Sequence, residues 1–312
     1  MSSISFEGRV AVVTGAGGGL GRTYAVDLAS RGASVVVNDL GGAQDGTGGD
    51  ASAAQRVVDE IVAAGGTAVA SHDSVATPEG GKAIIDLAVE TYGKVDILIS
   101  NAGILRDRTF LKLEQDDIRS VLDVHLVGAF NVAQPAFAVM KENGYGRIVL
   151  TASNAGVFGN FGQANYAAAK MGLVGLSNVL AIEGQKSGIK SNVICPIAST
   201  RMTEDLLGPL SSSLDPVLVT PVVTYLVSEE CELTHEIFSA GGGRFARVFV
   251  GLTPGWNAGR HHDVFAEDVA AHIQEVMAED GYIKPVQVQD ELKSILPQLK
   301  QNRDASALQA IS

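Results

Sequence analysis

The chain has 312 residues, of which 46% are hydrophobic and 19% are charged. This length is enough for a large core, yet one α/β domain can reach it. The formal net charge is −12 at pH 7, which gives no electrostatic support to binding of nucleic acid or of anionic membranes. These values predict a soluble globular protein with neither kind of partner.

Targeting and metal-binding signals are also missing from the sequence. The segment from Met1 to Gly8 lacks the basic and apolar regions of a signal peptide, no segment approaches the ~20 apolar residues that span a bilayer, and the final Ala-Ile-Ser is no peroxisomal Ser-Lys-Leu signal. Cys195 and Cys231 follow no metal-ligand spacing, and neither does the pair His261-His262. We therefore expect free thiols, no metal site and a cytoplasmic location.

Short β-branched segments alternate with longer helical ones along the chain. Strands are predicted over Arg9–Thr14, Ser34–Asp39, Thr67–His72, Val95–Ser100, Arg147–Ala152, Lys190–Cys195 and Arg247–Gly251. Helices are predicted over Leu20–Ser30, Ala51–Ala64, Pro78–Tyr92, Asp116–Met140, Asn165–Lys186 and Pro216–Ser228. Runs such as Val35-Val36-Val37 are apolar on both faces, as strands covered by helices on both sides are. The alternation predicts an α/β fold with a single Rossmann-type, doubly wound parallel sheet of about seven strands.

Two segments depart from a minimal version of that fold. Gly41–Asp50 is a glycine-rich insert directly after the second strand, and the chain from Gly259 onward shows helices and loops without a core of their own. We therefore expect a Rossmann-fold domain over residues 1–258 and a helical C-terminal extension over residues 259–312. The extension should pack on the same domain or on a partner subunit.

The first candidate site is the glycine-rich turn TGAGGGLG, which follows the first strand directly and opens the first helix. Glycine lets backbone N–H groups approach a pyrophosphate, and the start of a helix offers unpaired donors and partial positive charge. A glycine-rich turn alone is often only a loop, but its position between strand and helix predicts nucleotide binding. The expected contacts are Gly15, Gly19, Leu20 and Gly21.

Asp39 closes the second strand, 18 residues beyond Gly21. An acidic side chain there can accept hydrogen bonds from the adenosine ribose and repels a 2′-phosphate. No Lys or Arg occurs between Arg31 and Arg56, so Arg22 is the nearby cation that could oppose this preference. A solvated turn aspartate is the alternative; together with the glycine turn, Asp39 favours NAD over NADP.

Polar and small residues follow two further strands. Asp73 and Ser74 come after the third strand, and Asn101, Ala102 and Gly103 after the fourth. Open α/β sheets bind their ligands at these carboxyl ends, so we expect all five residues to lie at the cofactor site.

The catalytic signal is Tyr166 with Lys170 four residues later, and Ser153 thirteen residues before the tyrosine. Positions i and i+4 share a helix face, so Lys170 lies close to Tyr166. A free phenol has a pKa of about 10 and is a poor base at neutral pH, whereas an adjacent ammonium, helped by the positive nicotinamide ring, favours the phenolate. We expect Lys170 to lower the pKa of Tyr166 and Ser153 to orient the substrate oxygen.

In order and spacing these motifs resemble the short-chain dehydrogenases/reductases. The resemblance implies an oxidoreductase acting on a CH–OH group, with Tyr166 and Lys170 also touching the cofactor. It places Pro196 and Thr200 at the nicotinamide carboxamide, although Ile197 stands where the family has glycine. His125 stands where many members have an asparagine that links the lysine to solvent, which implies a catalytic role; a packed helix histidine is the alternative.

Longer segments carry a narrower resemblance: residues 38–42, 104–108, 159–166 and 177–184 resemble the (3R)-hydroxyacyl-CoA dehydrogenase unit of peroxisomal multifunctional enzyme type 2. That resemblance implies NAD-dependent interconversion of a (3R)-3-hydroxyacyl-CoA and a 3-oxoacyl-CoA, as in fatty acid β-oxidation. It also implies a homodimer whose contact includes the C-terminal extension.

Two other functions stay open. One is an NAD-dependent steroid or other secondary-alcohol dehydrogenase, with substrate selection in Leu206–Leu214 and the extension. The other is a non-catalytic cofactor-binding scaffold or sensor. The intact set of Ser153, Tyr166 and Lys170 argues against the second, because a protein that only binds has no need of all three.

Overall fold

One sheet of eight strands organises the chain, for which the computed structural model describes residues 4–200, 212–259 and 263–297. The strands are β1 (Val10–Thr14), β2 (Ser34–Asn38), β3 (Thr67–Ser71), β4 (Ile97–Ser100), β5 (Gly146–Thr151), β6 (Ile189–Pro196), β7 (Ile237–Gly241) and β8 (Arg244–Val248). Their order across the sheet is β3-β2-β1-β4-β5-β6-β7-β8. All neighbouring pairs are parallel except β7 with β8.

Helices cover both faces of this sheet, as the apolar strands predict. All five residues of β1 are buried. Ala11 and Val13 belong to the core on one face, and Val10 and Val12 belong to the core on the other. Because successive strand residues point to opposite faces, a strand with no exposed face needs a helical layer on each side. The doubly wound prediction is confirmed.

The helices of the sheet region follow the predicted segments closely. They are α1 (Gly19–Ser30), α2 (Ser52–Ala63), α3 (Pro78–Tyr92), α4 (Gln115–Leu122), α5 (Gly128–Asn143), α6 (Asn154–Phe158), α7 (Ala164–Gly184) and α8 (Thr220–Leu226). The single helix predicted over Asp116–Met140 is wrong in one respect, because a π-helical turn over Asp123–Val127 separates α4 from α5. The short helix α6 was not predicted from the sequence.

The last two strands correct the sequence prediction. The strand expected over Arg247–Gly251 is wrong: β8 ends at Val248 and runs antiparallel to β7, which the sequence pattern missed. β7 has only two large apolar residues and leads into three glycines, so it resembles a loop. Gly242 and Gly243 both have positive φ, 57° and 77°, the geometry of a two-residue hairpin. β8 therefore returns along the edge of the sheet.

β1 and β4 are adjacent in the sheet. β2 lies on the far side of β1 and β5 on the far side of β4, so the strand order reverses between β1 and β4. The hydroxyl of Thr14, at the end of β1, accepts hydrogen bonds from the backbone N–H groups of Asn101 (3.0 Å) and Ala102 (3.1 Å) just beyond β4. Ligands of open α/β sheets bind in the crevice at such a switch point. This contact therefore sets the floor of the crevice.

The described residues from Phe249 onward form a second compact unit. Its described part contains α9 (Ala266–Ala271), α10 (Ile273–Met277) and a short antiparallel bridge between Leu252 and Ile283. The helical character predicted from Gly259 onward agrees with this, while its packing on the main domain or on a partner subunit stays a prediction. Within the described ranges, no helix has both the length and the apolar character required to cross a membrane.

The Thr14 contact can be tested by Thr14→Val, which keeps the side-chain shape and removes the acceptor of two backbone N–H groups. We expect the free energy of unfolding to fall by about 2 kcal/mol, the cost of leaving buried donors unpaired, as measured by urea denaturation. Thr67→Val, at the exposed start of edge strand β3, is the control and should change stability by less than about 0.5 kcal/mol. Equal effects of the two substitutions would contradict this account.

Candidate active site

The glycine turn lies in the crevice because its backbone leaves no room for side chains. Gly15 has φ of 64°, and a Cβ on it would lie 2.7 Å from Cα of Ala102. A Cβ on Gly21 would lie 2.2 Å from the carbonyl oxygen of Gly15. Helix α1 begins at Gly19 without a side-chain cap, so the turn points a helix start into the crevice. Such an arrangement fits the pyrophosphate of a dinucleotide.

A cavity of about 410 Å³ opens beside this turn. It is lined by ten of the predicted cofactor residues: Gly15, Gly19, Leu20, Asp39, Asp73, Ser74, Asn101, Ala102, Gly103 and Thr200. Gly21 lies behind the lining, packed against Gly15 and Asn101. The insert after β2 also lines the cavity through residues such as Gly42, Ala43 and Gln44, a role that was not predicted. We call this space the nucleotide cavity.

Asp39 is held at the wall of the nucleotide cavity by two backbone donors. Its carboxylate accepts hydrogen bonds from the N–H groups of Gly17 (2.8 Å) and Gly41 (2.6 Å). A Cβ on Gly17 would lie 2.9 Å from the carboxylate, so only glycine permits this approach. Each carboxylate oxygen keeps a further lone pair for a ribose hydroxyl.

The cations near Asp39 are already paired. Arg22, which the sequence marked as a possible phosphate contact, donates to Glu60 and is not part of the cavity lining. Arg56 does line the cavity, but its guanidinium lies 3.0 Å from the carboxylate of Asp50. The cavity wall therefore presents three carboxylates and one neutralised cation, a poor match for a 2′-phosphate.

The side-chain amide of Asn101 makes its hydrogen bonds within the protein rather than to a ligand. Its side-chain amide donates to the carbonyl oxygens of Thr14 (3.2 Å) and Gly15 (3.0 Å). In the same way Asp73 closes a local network, accepting from the hydroxyl of Ser71 at 3.0 Å. These residues shape the cavity by fixing the backbone at the strand ends.

A second cavity, of about 400 Å³, adjoins the first and shares Leu20, Asn101, Gly103 and Thr200 with it. Its lining includes Pro196 and the four predicted catalytic residues, which are Ser153, Tyr166, Lys170 and His125. We call it the catalytic cavity. The sequence thus brings the nucleotide turn and the reactive side chains to one continuous crevice.

The three reactive side chains come from two adjoining elements. Ser153 caps the N-terminus of α6, where its hydroxyl accepts from the N–H of Ala155 at 3.1 Å, and it also hydrogen-bonds Tyr166. On α7 the ammonium nitrogen of Lys170 lies 5.5 Å from the centre of the Tyr166 ring and donates to the carbonyl oxygen of Thr151 at 2.5 Å. The lysine is thereby fixed under the tyrosine.

Burial governs the protonation of this pair. It raises the pKa of Tyr166 to about 12, which the Ser153 hydrogen bond partly opposes and the charge of Asp107 reinforces. It lowers the pKa of Lys170 to about 7, because desolvation disfavours whichever form is charged. The protein chain alone therefore does not acidify Tyr166, and the acidification expected from Lys170 together with the nicotinamide charge stays a prediction. The site holds a neutral phenol above a lysine that is only partly protonated near pH 7.

His125 lies in the π-helical turn and packs directly on the tyrosine. The two rings meet edge to face with centroids 5.1 Å apart, and Nε2 lies 2.7 Å from the carbonyl oxygen and 3.0 Å from the backbone nitrogen of Ile104. Burial holds the pKa of His125 well below its ordinary value, so the ring is neutral. Nδ1 is buried with no hydrogen-bond partner in the described chain. The structure brings His125 into the site, while its catalytic role stays a prediction.

A strap formed by residues 104–108 connects the two cavities. Its Leu105 N–H donates to the carbonyl oxygen of Gln44 in the insert, and its Arg108 N–H donates to the carbonyl oxygen of Gly162, just before α7 (both 2.9 Å). The strap thus joins the wall of the nucleotide cavity to the start of the catalytic helix. Its sequence had suggested only a family likeness.

Sequence reasoning missed Gln163 and Asp107. Gln163 is buried beside Tyr166 and lines the catalytic cavity, with Asp107 hydrogen-bonded to it. The available signal was a polar amide three residues before the tyrosine. Of the segment expected to select substrates, Leu206–Leu214, residues 206–211 lie outside the described part of the chain, as does the His261-His262 pair.

Comparison with known proteins agrees with this geometry. The sequence model of the short chain dehydrogenase family matches residues 9–208. A protein of Mycobacterium tuberculosis named as a short-chain type dehydrogenase/reductase is 51% identical over 271 residues, covering 86% of this chain and 94% of the relative. A hydroxyacyl-CoA dehydrogenase of the same organism is 37% identical over 266 residues, covering 79% of this chain and 81% of the relative.

Peroxisomal multifunctional enzyme type 2 from Drosophila melanogaster is 54% identical over 241 residues, 77% of this chain but only 40% of that enzyme. Its full-length structure matches 96% of this chain and 50% of its own, with a TM-score of 0.80 and 38% identity. The predicted resemblance to this group of enzymes is confirmed. This chain belongs to the short-chain dehydrogenase family and is an oxidoreductase acting on a CH–OH group.

Proposed function

We propose that the enzyme interconverts a (3R)-3-hydroxyacyl-CoA and the corresponding 3-oxoacyl-CoA with NAD as its cofactor. The observation that carries the proposal is the placement of Ser153, Tyr166 and Lys170 around one cavity that opens into the nucleotide crevice. The acyl-CoA substrate is supported by the relatives, one of which is named a hydroxyacyl-CoA dehydrogenase. A role in fatty acid β-oxidation follows from the same proposal.

NAD is preferred over NADP in this proposal because of the charges at the ribose end. Asp39 is fixed at the cavity wall by two backbone donors, and Arg56 is engaged by Asp50. A 2′-phosphate would meet carboxylate repulsion there without a free guanidinium among the described lining residues to offset it.

The reaction assigns a separate task to each catalytic side chain. NAD⁺ held by the residues of the nucleotide cavity would supply the hydride acceptor and a positive charge. Such a charge at the catalytic cavity would favour the Tyr166 phenolate that the chain alone disfavours. Tyr166 takes the proton of the substrate hydroxyl, Ser153 orients that oxygen, and Lys170 stabilises the charge that forms on the phenol. Oxidation yields the 3-oxoacyl thioester, NADH and one proton.

We also propose a homodimer, the quaternary state that the resemblance implies. Apolar side chains on one stretch of α7 are exposed in the single chain: Met171, Val179 and Ile182. Phe130 on α5 is exposed as well. Such surface suits a subunit contact, and sedimentation equilibrium at the mass of one chain would contradict it. A cytoplasmic location remains part of the proposal, supported by two free, buried cysteines.

A substrate panel tests the proposed function. We expect the enzyme to oxidise (3R)-3-hydroxyacyl-CoA with NAD⁺ at a kcat/KM at least tenfold above that for hydroxysteroids, simple secondary alcohols or the (3S) thioester. NADP⁺ should be the weaker cofactor by a similar factor, because Asp39 disfavours the extra phosphate. The readout is NADH or NADPH absorbance over a series of acyl chain lengths. Faster turnover of a hydroxysteroid would replace the proposed substrate.

The pH dependence tests the role of Tyr166. Because burial raises the pKa of this phenol to about 12, its deprotonated form is scarce at neutral pH and becomes commoner as the pH rises. We therefore expect kcat/KM for oxidation to increase from neutral to alkaline pH, and kcat/KM for reduction, which needs the protonated phenol, to stay level over the same range. Both are measured by initial rates in the two directions.

Tyr166→Phe should lower oxidation by about 10²- to 10⁴-fold, the usual contribution of general acid–base catalysis, and should remove its pH dependence. Tyr92→Phe is the matched control, since Tyr92 is another partly buried phenol with a raised pKa and does not line either cavity. An unchanged oxidation rate in Tyr166→Phe would exclude the mechanism.

A further inference from the structure

Gln163 is a buried polar side chain of the catalytic cavity to which the reaction scheme gives no task. It is 5% exposed and lines the cavity together with Ser153 and Tyr166. A buried amide at a reaction centre is costly unless its donors and acceptors are used. Its unused capacity therefore points to a ligand atom.

The orientation of the Gln163 amide is fixed by its two neighbours. Asn160 donates its side-chain N–H to Oε1 of Gln163 at 2.8 Å. Nε2 of Gln163 donates to the carboxylate of Asp107 at 2.7 Å. An ionised carboxylate only accepts, so Nε2 must face Asp107 and cannot exchange places with the oxygen. One N–H of Nε2 remains, and no acceptor for it lies within the described chain.

The side chain that carries this remaining donor borders the same cavity as the phenol of Tyr166. Gln163 immediately precedes α7 and its carbonyl oxygen accepts from the N–H of Ala167 at 2.7 Å. Residues three apart at the start of a helix share a face, and Gln163 and Tyr166 both border the same cavity. A substrate whose reacting oxygen meets Tyr166 therefore has its neighbouring atoms within the region that Gln163 borders.

We propose that Gln163 is a substrate-binding residue that donates this N–H to the thioester carbonyl oxygen of a 3-hydroxyacyl or 3-oxoacyl substrate. The inference rests on the proposed function. In such substrates the thioester carbonyl is at C1 and the reacting oxygen is on C3. A simple secondary alcohol lacks the carbonyl oxygen. With a simple alcohol the buried donor stays unpaired, and sites built around a hydrogen bond reject ligands that cannot make it.

Asp107 acts as a positioning residue in this arrangement. Its negative charge holds and polarises the amide, because hydrogen bonds to ionised groups are stronger than neutral ones. A polarised N–H donor forms a stronger hydrogen bond to the thioester carbonyl oxygen than an unassisted amide would. Gln163 thus selects substrates oxygenated at both positions.

The test is a cycle that deletes the residue and the substrate atom separately. The substrates are (3R)-3-hydroxybutyryl-CoA and its thioether analogue, in which a CH₂ group replaces the thioester carbonyl, and the enzymes are wild type and Gln163→Met. In wild type, kcat/KM for the thioester divided by kcat/KM for the thioether reflects two factors. One is the different intrinsic reactivity of the two substrates, and the other is the hydrogen bond from Gln163. The reactivity difference cancels between the two enzymes.

We expect this ratio to be about tenfold to a hundredfold smaller in Gln163→Met, the range for a lost hydrogen bond that leaves a polar group unpaired. Asp107→Asn, which lets the amide reverse, should reduce the ratio by a smaller factor. Identical ratios in wild type and Gln163→Met would overturn the assignment. If wild type does not oxidise the thioester, the proposed function itself fails and this inference with it.

Matched controls separate substrate binding from folding. Gln55→Met removes a glutamine that also donates to a carboxylate, that of Asp59 at 2.7 Å, but on the exposed face of α2. The ratio should be unchanged in that variant. Affinity for NADH, measured by fluorescence titration, should be unaltered in Gln163→Met, since Gln163 borders only the catalytic cavity. A loss of NADH binding equal to the loss of turnover would reveal a structural role and overturn the proposal.

Discussion

The contact between the Thr14 hydroxyl and the two N–H groups beyond β4 joins the strands on either side of the switch point. This contact and the Asn101 amide close the floor of the crevice between the two strand ends. The glycine turn rests on that floor, since Gly15 touches Ala102 without space for a methyl group. Both cavities share residues of the same region. Cofactor and substrate therefore meet where two strand ends are held together.

Chemistry at this meeting point depends on a low-dielectric wall. Burial raises the pKa of Tyr166 and lowers that of Lys170, and both shifts favour the neutral side chain. The resting pair therefore carries little charge. A neutral site costs less to bury than an ion pair. Charge is then introduced with the ligands and is stabilised where it develops, which is the arrangement that electrostatic catalysis favours. The edge-to-face contact of His125 keeps the phenol ring in place without adding charge.

Local patterns were sufficient to predict the strands with strong apolar runs and the residues on turns, because glycine positions and i, i+4 spacing are properties of the backbone. β7 escaped prediction because pairing with β6, rather than its own composition, makes it a strand. Burial is likewise a property of the whole fold, and in the protein chain alone it raises the pKa of Tyr166 in spite of the neighbouring lysine. Gln163 could not be recognised because its importance comes from Asp107, 56 positions earlier in the chain.

The π-helical turn at Asp123–Val127 holds one residue more than an α-helical turn would. That extra residue shifts the angular phase of everything after it by about 100°. The imidazole of His125 can therefore face the phenol while the following helix keeps Val132, Ala133 and Ala136 in the core. Deletion of one residue here would misalign either His125 with the phenol or the following helix with the core. The length of this segment is thus fixed by geometry on both sides.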